Sequence, residues 1–160
     1  MRKAARADKL AGRQALIPWS PVGQMVTLED FNNRGSGRLP GYLGIVITRI
    51  GAAEIVAELE IKDVLMAPNG YLHAGGIVAL ADTSCGYGCI ANLPEGATGF
   101  TTIELKSNHL GTAREGTIVS HARAMHFGKT TQVWDAIVAH KETGKTIALF
   151  RCTQLILYPK

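Results

Sequence analysis

The sequence predicts an α+β fold in which a curved antiparallel sheet of about six strands wraps around one long central helix. Residues 69–93 are mostly small or apolar, and they end at Pro94, which cannot continue a helix. Because small residues occur on every side of this stretch, we expect a helix that is buried all round. Most of the remaining chain consists of β-branched or alternating stretches separated by short turns that contain glycine. A single apolar helix has no other helix to cover it, so six antiparallel strands can bury it only if their sheet curls around it.

The segment before the central helix is expected to hold one short helix and two strands. Thr27 is placed to cap the helix, with Asp30 three residues later in the reciprocal position of a capping box. The polar, glycine-containing segment 32–37 should form a loop after it. Strands are expected at 42–50 and 54–62, joined by a hairpin turn, and the second strand alternates between apolar and polar residues.

Four strands are expected after the central helix, at residues 98–107, 117–127, 131–141 and 146–157. The last three are joined by tight turns that contain Gly128 and Gly144, so they should form an antiparallel meander. Two strands, a long helix and four strands wrapped around that helix make the hot-dog fold. In a dimer of such domains the first of the four strands pairs with its twin, and we expect a homodimer or a dimer of dimers.

The net charge of +4 is concentrated at the N-terminus. Residues 1–13 contain five basic side chains and one acidic one, so the charges of the rest of the chain cancel. We therefore divide the chain into a basic N-terminal extension, residues 1–26, and one domain, residues 27–160, and we expect no nucleic-acid partner. The extension is either a solvated tail or a targeting or docking segment.

The composition also bounds the compartment and the cofactors. No apolar run is long and uninterrupted enough to suggest a membrane span. Three cysteines make no disulfide framework, which points to a reducing compartment and a cytoplasmic location. No spacing of cysteines and histidines matches a zinc site, so we expect neither a metal nor another cofactor.

One constellation carries chemistry: His73-Ala74-Gly75-Gly76 at the start of the central helix, followed by Asp82 within it. The N–H groups of Ala74 and Gly75, at the positive end of the helix dipole, could hold the oxyanion of a polarised carbonyl. The glycines let a ligand approach the backbone closely. Asp82 is disfavoured as an anion in apolar surroundings, which makes it a better base. Because roughly 12 Å of helix separates the two parts, they would converge on one atom only across two antiparallel subunits.

The stretch Asn69–Asp82, with His-Ala-Gly-Gly and Leu-Ala-Asp, resembles the H-G-G-x(5)-L-x-D signature of hot-dog acyl-CoA thioesterases of the phenylacetate-degradation (PaaI-like) type. The similarity runs from about residue 43 to residue 157 and includes the segment 100–110 and the Gly128-Lys129 turn. It implies a thioester hydrolase that acts on acyl- or aryl-CoA without a metal, coenzyme A entering only as part of the substrate.

The resemblance also implies roles for individual residues. Asp82 would be the base or nucleophile, the Ala74 N–H the carbonyl donor, and His73 the residue that orients the site. Thr102, or alternatively Thr101, would place water or substrate.

The chain departs from the signature at two places. The first glycine of the motif is Ala74, which keeps the N–H but adds a methyl group. The family's frequent Asn or Gln six residues before the histidine is Ala67, and Asn69 is the candidate substitute for substrate binding, together with Gly76. Arg114 and Lys129 are loop residues that could meet coenzyme A phosphates or could simply be solvated.

Two other functions remain open at the level of the sequence. A hot-dog domain could bind acyl-CoA without turning it over, in which case the Asp82 carboxylate would not matter. It could also be a hydratase or dehydratase of acyl thioesters, although the loop-and-helix motif typical of those enzymes is not apparent.

Overall fold

A computed structural model describes residues 26–160, so the expectations for the basic N-terminal extension lie outside the described residues. A 3₁₀ turn at Asp63–Leu65 precedes the central helix. In chain order the helices and strands are α1 (Leu28–Gly35), α2 (Leu39–Leu43), β1 (Ile45–Gly51), β2 (Glu54–Glu60), α3 (Ala74–Ala91), β3 (Gly99–His109), β4 (Thr117–Phe127), β5 (Thr131–His140) and β6 (Thr146–Leu157).

The six strands form one sheet in the order β1-β2-β4-β5-β6-β3, and every neighbouring pair is antiparallel. The helix α3 packs across this sheet and contacts all six strands. The predicted β1–β2 hairpin and the β4–β5–β6 meander are both confirmed. The predicted α+β architecture, an antiparallel sheet with one long central helix, is therefore correct.

Small residues let the sheet approach the backbone of α3. A Cβ atom at Gly88 would lie 2.5 Å from the ring of Trp134, and one at Gly86 would lie 3.0 Å from the ring of Phe100. Trp134 is fully buried, and its indole Nε1 donates to Gln132 Oε1 at 2.9 Å. The composition of the helix thus follows from the short distance between helix and sheet.

The expectation that α3 is buried on all sides is wrong at its N-terminus. Ala74 and Gly75 are exposed, whereas Leu80 and Ala81 are completely buried. The carboxylate-bearing face at Asp82 is only partly covered. One end and one side of the helix therefore remain open to a ligand or to another protein surface.

The first helix is longer than expected. The capping box of Thr27 and Asp30 is confirmed, but α1 continues through residues 32–35, where a loop was expected. Asn32 stabilises this extra turn from outside the helix, because its side chain accepts from the Ile47 N–H at 2.8 Å and donates to the Ile47 carbonyl at 3.1 Å. A tertiary contact thus overrides the local preference of asparagine for loops.

The first strand begins later than expected. Residues 39–43, which include part of the predicted strand 42–50, form the short helix α2, with Pro40 in its first turn. Gly44 ends that helix with φ +84°, a conformation that favours glycine. The remaining strand bounds differ from the expected ones by two residues or fewer.

The strand β3 is an open edge of the sheet, since β6 is its only neighbour among the described strands. Leu105 is paired with Cys152 and so lies on the side of the sheet that faces α3, yet its side chain is 44% exposed. A bulge interrupts the pairing between Thr102 and Glu104, and Ile103 within it is 55% exposed. An eleven-residue edge with exposed apolar side chains is a surface that proteins usually cover.

Candidate active site

His73 caps the N-terminus of α3. Its Nδ1 accepts a hydrogen bond from the Gly75 N–H at 2.8 Å, and its carbonyl accepts one from the Gly76 N–H at 2.9 Å. The His73 N–H donates to the Leu65 carbonyl, also at 2.9 Å. These bonds fix the imidazole against the first turn of the helix.

The cap changes which N–H groups are available. The expectation that the Gly75 N–H is a free oxyanion donor is wrong, because it already donates to His73 Nδ1. Within residues 26–160 the Ala74 N–H has no acceptor, so it is the open donor at this helix end. A Cβ atom at Gly75 would lie 2.9 Å from His73 Nδ1, whereas one at Gly76 would make only an ordinary contact of 3.6 Å with Leu72. Gly75 is therefore needed for the cap, and Gly76 is not needed for packing.

A cavity of about 370 Å³ lies beside this helix end, and Ala67, Asn69, His73, Ala74 and His109 are among its lining residues. Asn69 Oδ1 accepts from the N–H of Tyr71 at 3.3 Å, so the asparagine shapes the turn that precedes the helix. His109, the last residue of β3, was not identified from the sequence, because the predicted strand ended two residues before it.

Asp82 lies about two turns further along α3. Its Oδ1 is buried and has no hydrogen-bond partner among the described residues. Burial raises the pKa of this carboxyl above its usual range, and a hydrogen bond from the Thr102 hydroxyl would lower it. An underpartnered carboxylate of raised basicity is what a general base requires.

Thr102 rather than Thr101 reaches this region. Thr102 is paired with Gln154 on the side of the sheet that faces α3, whereas Thr101 is exposed on the opposite face, so the chain does not bring Thr101 to its own Asp82. The Thr102 hydroxyl donates to Gln154 Oε1 at 2.9 Å, and Gln154 Nε2 donates to Cys152 Sγ at 3.2 Å.

Two thiols complete the surroundings of Asp82. A hydrogen bond to Cys152, together with burial, raises the pKa of the Cys85 thiol well above its usual range. All three cysteines are buried and free. Gln154 and Cys152 were missed as site residues because strand alternation marks only a buried face and does not show which helix residue that face meets.

The two predicted basic residues lie in different places. The Arg114 guanidinium carbon lies 4.3 Å from the ring centroid of Tyr71, a residue of the cavity beside His73. Lys129 lies in the turn between β4 and β5, near the other end of α3, where Gln132 Nε2 donates to the Asn92 carbonyl. The chain therefore brings Arg114, but not Lys129, to the N-terminal end of its own helix.

A larger depression, of about 710 Å³, lies on the other face of the sheet and contains none of the predicted site residues. Within residues 26–160 no group of three or more His, Cys, Asp or Glu side chains is placed to hold a metal ion. No helix in the same part of the chain is both long enough and apolar enough to span a membrane.

Comparison with known proteins agrees with this geometry. A family model described as the thioesterase superfamily matches residues 69–147, which include the helix cap, Asp82 and Thr102. The chain is 33% identical over 135 residues to the 1,4-dihydroxy-2-naphthoyl-CoA hydrolase of Escherichia coli, covering 82% of this chain and 96% of that enzyme. It is 29% identical over 132 residues to the proofreading thioesterase EntH of Cronobacter sakazakii, covering 82% and 95%.

The solved structures lead to the same family. A thioesterase from Haemophilus influenzae superposes with a TM-score of 0.79 at 30% identity, covering 84% of this chain and 93% of that one. A mutant thioesterase from Pseudomonas aeruginosa gives the same TM-score at 27% identity, covering 84% and 96%. The expectations of a hot-dog fold and of a thioester hydrolase are confirmed at the level of the family: the chain belongs to the thioesterase superfamily.

Proposed function

We propose that the protein hydrolyses a coenzyme A thioester of an acyl or aryl acid, with Asp82 as the catalytic carboxylate and the Ala74 N–H as the carbonyl donor. The observation that carries the proposal is the buried Asp82 Oδ1 without a hydrogen-bond partner, on the same helix whose exposed end offers the open Ala74 N–H. Buried polar groups without a partner are rare in folded proteins, and a substrate can supply the missing partner. Membership of a thioesterase family makes a thioester carbonyl and a water molecule the natural partners.

The proposed reaction is acyl transfer from sulfur to water. The Ala74 N–H polarises the thioester oxygen and stabilises the negative charge that develops there. Asp82 takes a proton from an attacking water molecule, or adds to the carbonyl carbon and forms an anhydride that water then opens. In both routes the carbon–sulfur bond breaks, the coenzyme A thiolate leaves, and the net products are a free acid and coenzyme A. Neither route uses a metal or a further cofactor.

We place each site between two subunits. Asp82 lies eight positions after Ala74, about 12 Å along the helix axis, so one chain cannot present both groups to one carbonyl carbon. The open edge of β3 supports a homodimer, because pairing with its twin would extend the sheet and cover exposed side chains such as Leu105. In an antiparallel arrangement Asp82 of one subunit would approach Ala74 of the other. A dimer of dimers is the larger assembly that we propose.

The remaining predicted residues would bind the substrate around this centre. His73 orients the helix end, Asn69 shapes the adjoining turn, and Thr102 faces the carboxylate. Arg114, which lies over the ring of Tyr71 beside the cavity, would bind a coenzyme A phosphate, and Lys129 could reach the same ligand only from the other subunit.

The acyl group and the compartment are proposed from more general features. The curated relative named for 1,4-dihydroxy-2-naphthoyl-CoA favours an aryl-CoA substrate, in keeping with the PaaI-like resemblance. Free buried thiols suit a reducing compartment, and we propose a cytoplasmic location.

The first test is thiol release from a panel of acyl- and aryl-CoA esters by the protein and by Asp82→Asn. We expect turnover on some members of the panel and a loss of several orders of magnitude in the variant. The exposed carboxylate of Asp63 offers a matched control, since Asp63→Asn makes the same chemical change outside the site. Equal turnover in the protein and in Asp82→Asn would exclude the assignment. Binding without release would indicate an acyl-CoA binding module, and water addition without release a hydratase.

A second test removes the backbone N–H hydrogen of Ala74, the proposed carbonyl donor, by replacing Ala74 with proline. Ala74 is the first residue of α3, where proline is well tolerated, and His73 has φ −65° and ψ 134°, which suits a residue before proline. Ala74→Pro should therefore keep the helix and lose the donor, with kcat lower by about 10²–10³-fold. Ala74→Gly keeps the N–H and should stay active. Full activity of Ala74→Pro would show that the carbonyl is held elsewhere.

A further inference from the structure

The Thr102 hydroxyl faces two acceptors with one proton. One acceptor is the carboxylate of Asp82, whose pKa a hydrogen bond from this hydroxyl would lower, and the other is Gln154 Oε1. The donor–acceptor distance to Gln154 is 2.9 Å, whereas Asp82 Oδ1 is buried without any hydrogen-bond partner among residues 26–160. A hydroxyl donates only one hydrogen bond, so Thr102 cannot donate to Asp82 while it donates to Gln154.

The amide of Gln154 is held in the orientation that accepts this proton. Gln154 is fully buried on β6 and lies directly across from Thr102 in the β3–β6 pair. Its Nε2 donates to Cys152 Sγ at 3.2 Å, two residues earlier on the same face of the strand. Cys152 in turn contacts the protonated thiol of Cys85, one turn after Asp82 on α3. With the NH₂ group directed at sulfur, Oε1 points to the Thr102 hydroxyl.

We propose that Gln154 is a positioning residue that accepts the one hydrogen bond the Thr102 hydroxyl can donate and so withholds this donor from the Asp82 carboxylate. The threonine then presents its oxygen, rather than its proton, to the carboxylate side of the site. The consequence for catalysis rests on the proposed function of Asp82: a carboxylate without a donor is a stronger base toward water.

The other groups around Asp82 do not replace the missing donor. On its own helix the nearest titratable group is the thiol of Cys85, which is hydrogen-bonded to Cys152 and whose raised pKa keeps it neutral. On β6 it is the thiol of Cys152, and on β3 the facing group is the Thr102 hydroxyl itself. Asp135 acts on Cys85 from the next strand and is paired with Arg151 at 2.5 Å. Burial raises the pKa of Asp82, and the acceptor to which the Thr102 hydroxyl donates decides whether a hydrogen bond offsets that rise.

The test measures the pKa of Asp82 directly, by carboxyl ¹³C NMR of the unliganded full chain as a function of pH. The Asp82 signal is assigned by its absence in Asp82→Asn. In Gln154→Leu the amide acceptor is gone, so the Thr102 proton turns to the carboxylate and the pKa of Asp82 should fall by about one unit. Gln154→Met removes the same acceptor with a longer apolar side chain and should give the same fall. An unchanged pKa in these variants would overturn the proposal.

Replacing the donor, Thr102, gives an independent test. Because the Thr102 hydroxyl does not donate to Asp82, Thr102→Val should change the pKa of Asp82 by less than about half a unit. A rise of about one unit would show that the proton is given to the carboxylate and would overturn the proposal even if the Gln154 variants failed to fold. In Thr102→Val, adding Gln154→Leu should have no further effect, since the glutamine acts only through the threonine.

Gln132 provides the matched control. It is also a buried glutamine, on the neighbouring strand β5 and paired with Gln154, but its side chain binds Asn92 and Trp134 instead. Gln132→Leu should cost stability without moving the pKa of Asp82, and a shift equal to that of Gln154→Leu would make the effect a general one of repacking. If Asp82 is the base, the acid limb of the kcat/KM profile moves with the NMR pKa. If the NMR pKa moves and the profile does not, the inference about Gln154 holds and the assignment of Asp82 fails.

Discussion

Replacing the catalytic carboxylate should stabilise the fold at neutral pH while it abolishes turnover. Burial raises the pKa of Asp82 in the folded state above the ordinary value of 3.8, which the unfolded chain keeps. At pH 3 the carboxyl is protonated in both states and costs nothing. As the pH rises past 3.8 the unfolded chain loses its proton first, so the free energy of unfolding falls until the folded carboxyl has also ionised. Above that point the penalty is constant.

The size of the effect follows from the burial of the charge, which is the first cause of the raised pKa. Leaving a buried charged group without a partner costs about 1–3 kcal/mol or more, and each unit of raised pKa corresponds to about 1.4 kcal/mol. Because Asp82 is partly exposed, solvent screening places the expectation at the lower end, about 1 kcal/mol. Asp82→Asn removes the charge and keeps the shape, so this penalty should disappear.

The assay is urea unfolding of the protein and of Asp82→Asn at pH 3 and at pH 7. We expect the variant to be more stable at pH 7 by about 1 kcal/mol and equally stable at pH 3. The surface variant Asp63→Asn should stay within about 0.5 kcal/mol of the protein at both pH values. A loss of stability in Asp82→Asn at pH 7, or an equal gain at both pH values, would refute the reasoning, because the carboxylate would then be stabilised by partners in the fold.

Three further outcomes can be measured on single variants. Gly88→Ala places a methyl group 2.5 Å from the ring of Trp134, so urea unfolding should show a free energy of unfolding lower by about 1–3 kcal/mol. An unchanged midpoint would mean that α3 can move away from the sheet without cost. Gly75→Ala brings a Cβ to 2.9 Å from His73 Nδ1 and should weaken the cap, lowering stability by about 1 kcal/mol and reducing kcat; undiminished kcat would exclude the cap from the site. Arg114→Ala should raise KM for coenzyme A esters with little change in kcat, and the effect should shrink with shorter thioesters that lack the nucleotide; an equal effect on both substrates would contradict phosphate binding.

Local sequence signals located most elements correctly. The alternation of β2, the tight turns containing Gly128 and Gly144 and the reciprocal pair of Thr27 and Asp30 are short-range features, and the structure reproduces all of them. The failures have a tertiary cause. Asn32 lies in a helix because its side chain binds the backbone of β1, and residues 39–43 form a helix although part of that segment resembles a strand.

The candidate site divides in the same way. The motif from His73 to Asp82 was visible in the sequence because it lies on one continuous helix and uses residues that break ordinary helix rules. His109, Cys152 and Gln154 were not visible, since strand pairing brings them to the helix from distant parts of the chain. The availability of the Ala74 N–H, and the loss of that of Gly75, depends on the rotamer of His73, which no sequence pattern encodes.

The sequence by itself determined that a helix of small residues must be wrapped by an antiparallel sheet, and that this helix presents N–H groups at one end and a carboxylate in its middle. It could do so because residue size, periodicity and turn chemistry act over a few neighbouring positions. Only the tertiary structure decided which groups are left without partners. Each donor can make only a limited number of hydrogen bonds: the Gly75 N–H donates to His73, the Thr102 hydroxyl donates to Gln154, and Asp82 Oδ1 has no donor among the described residues.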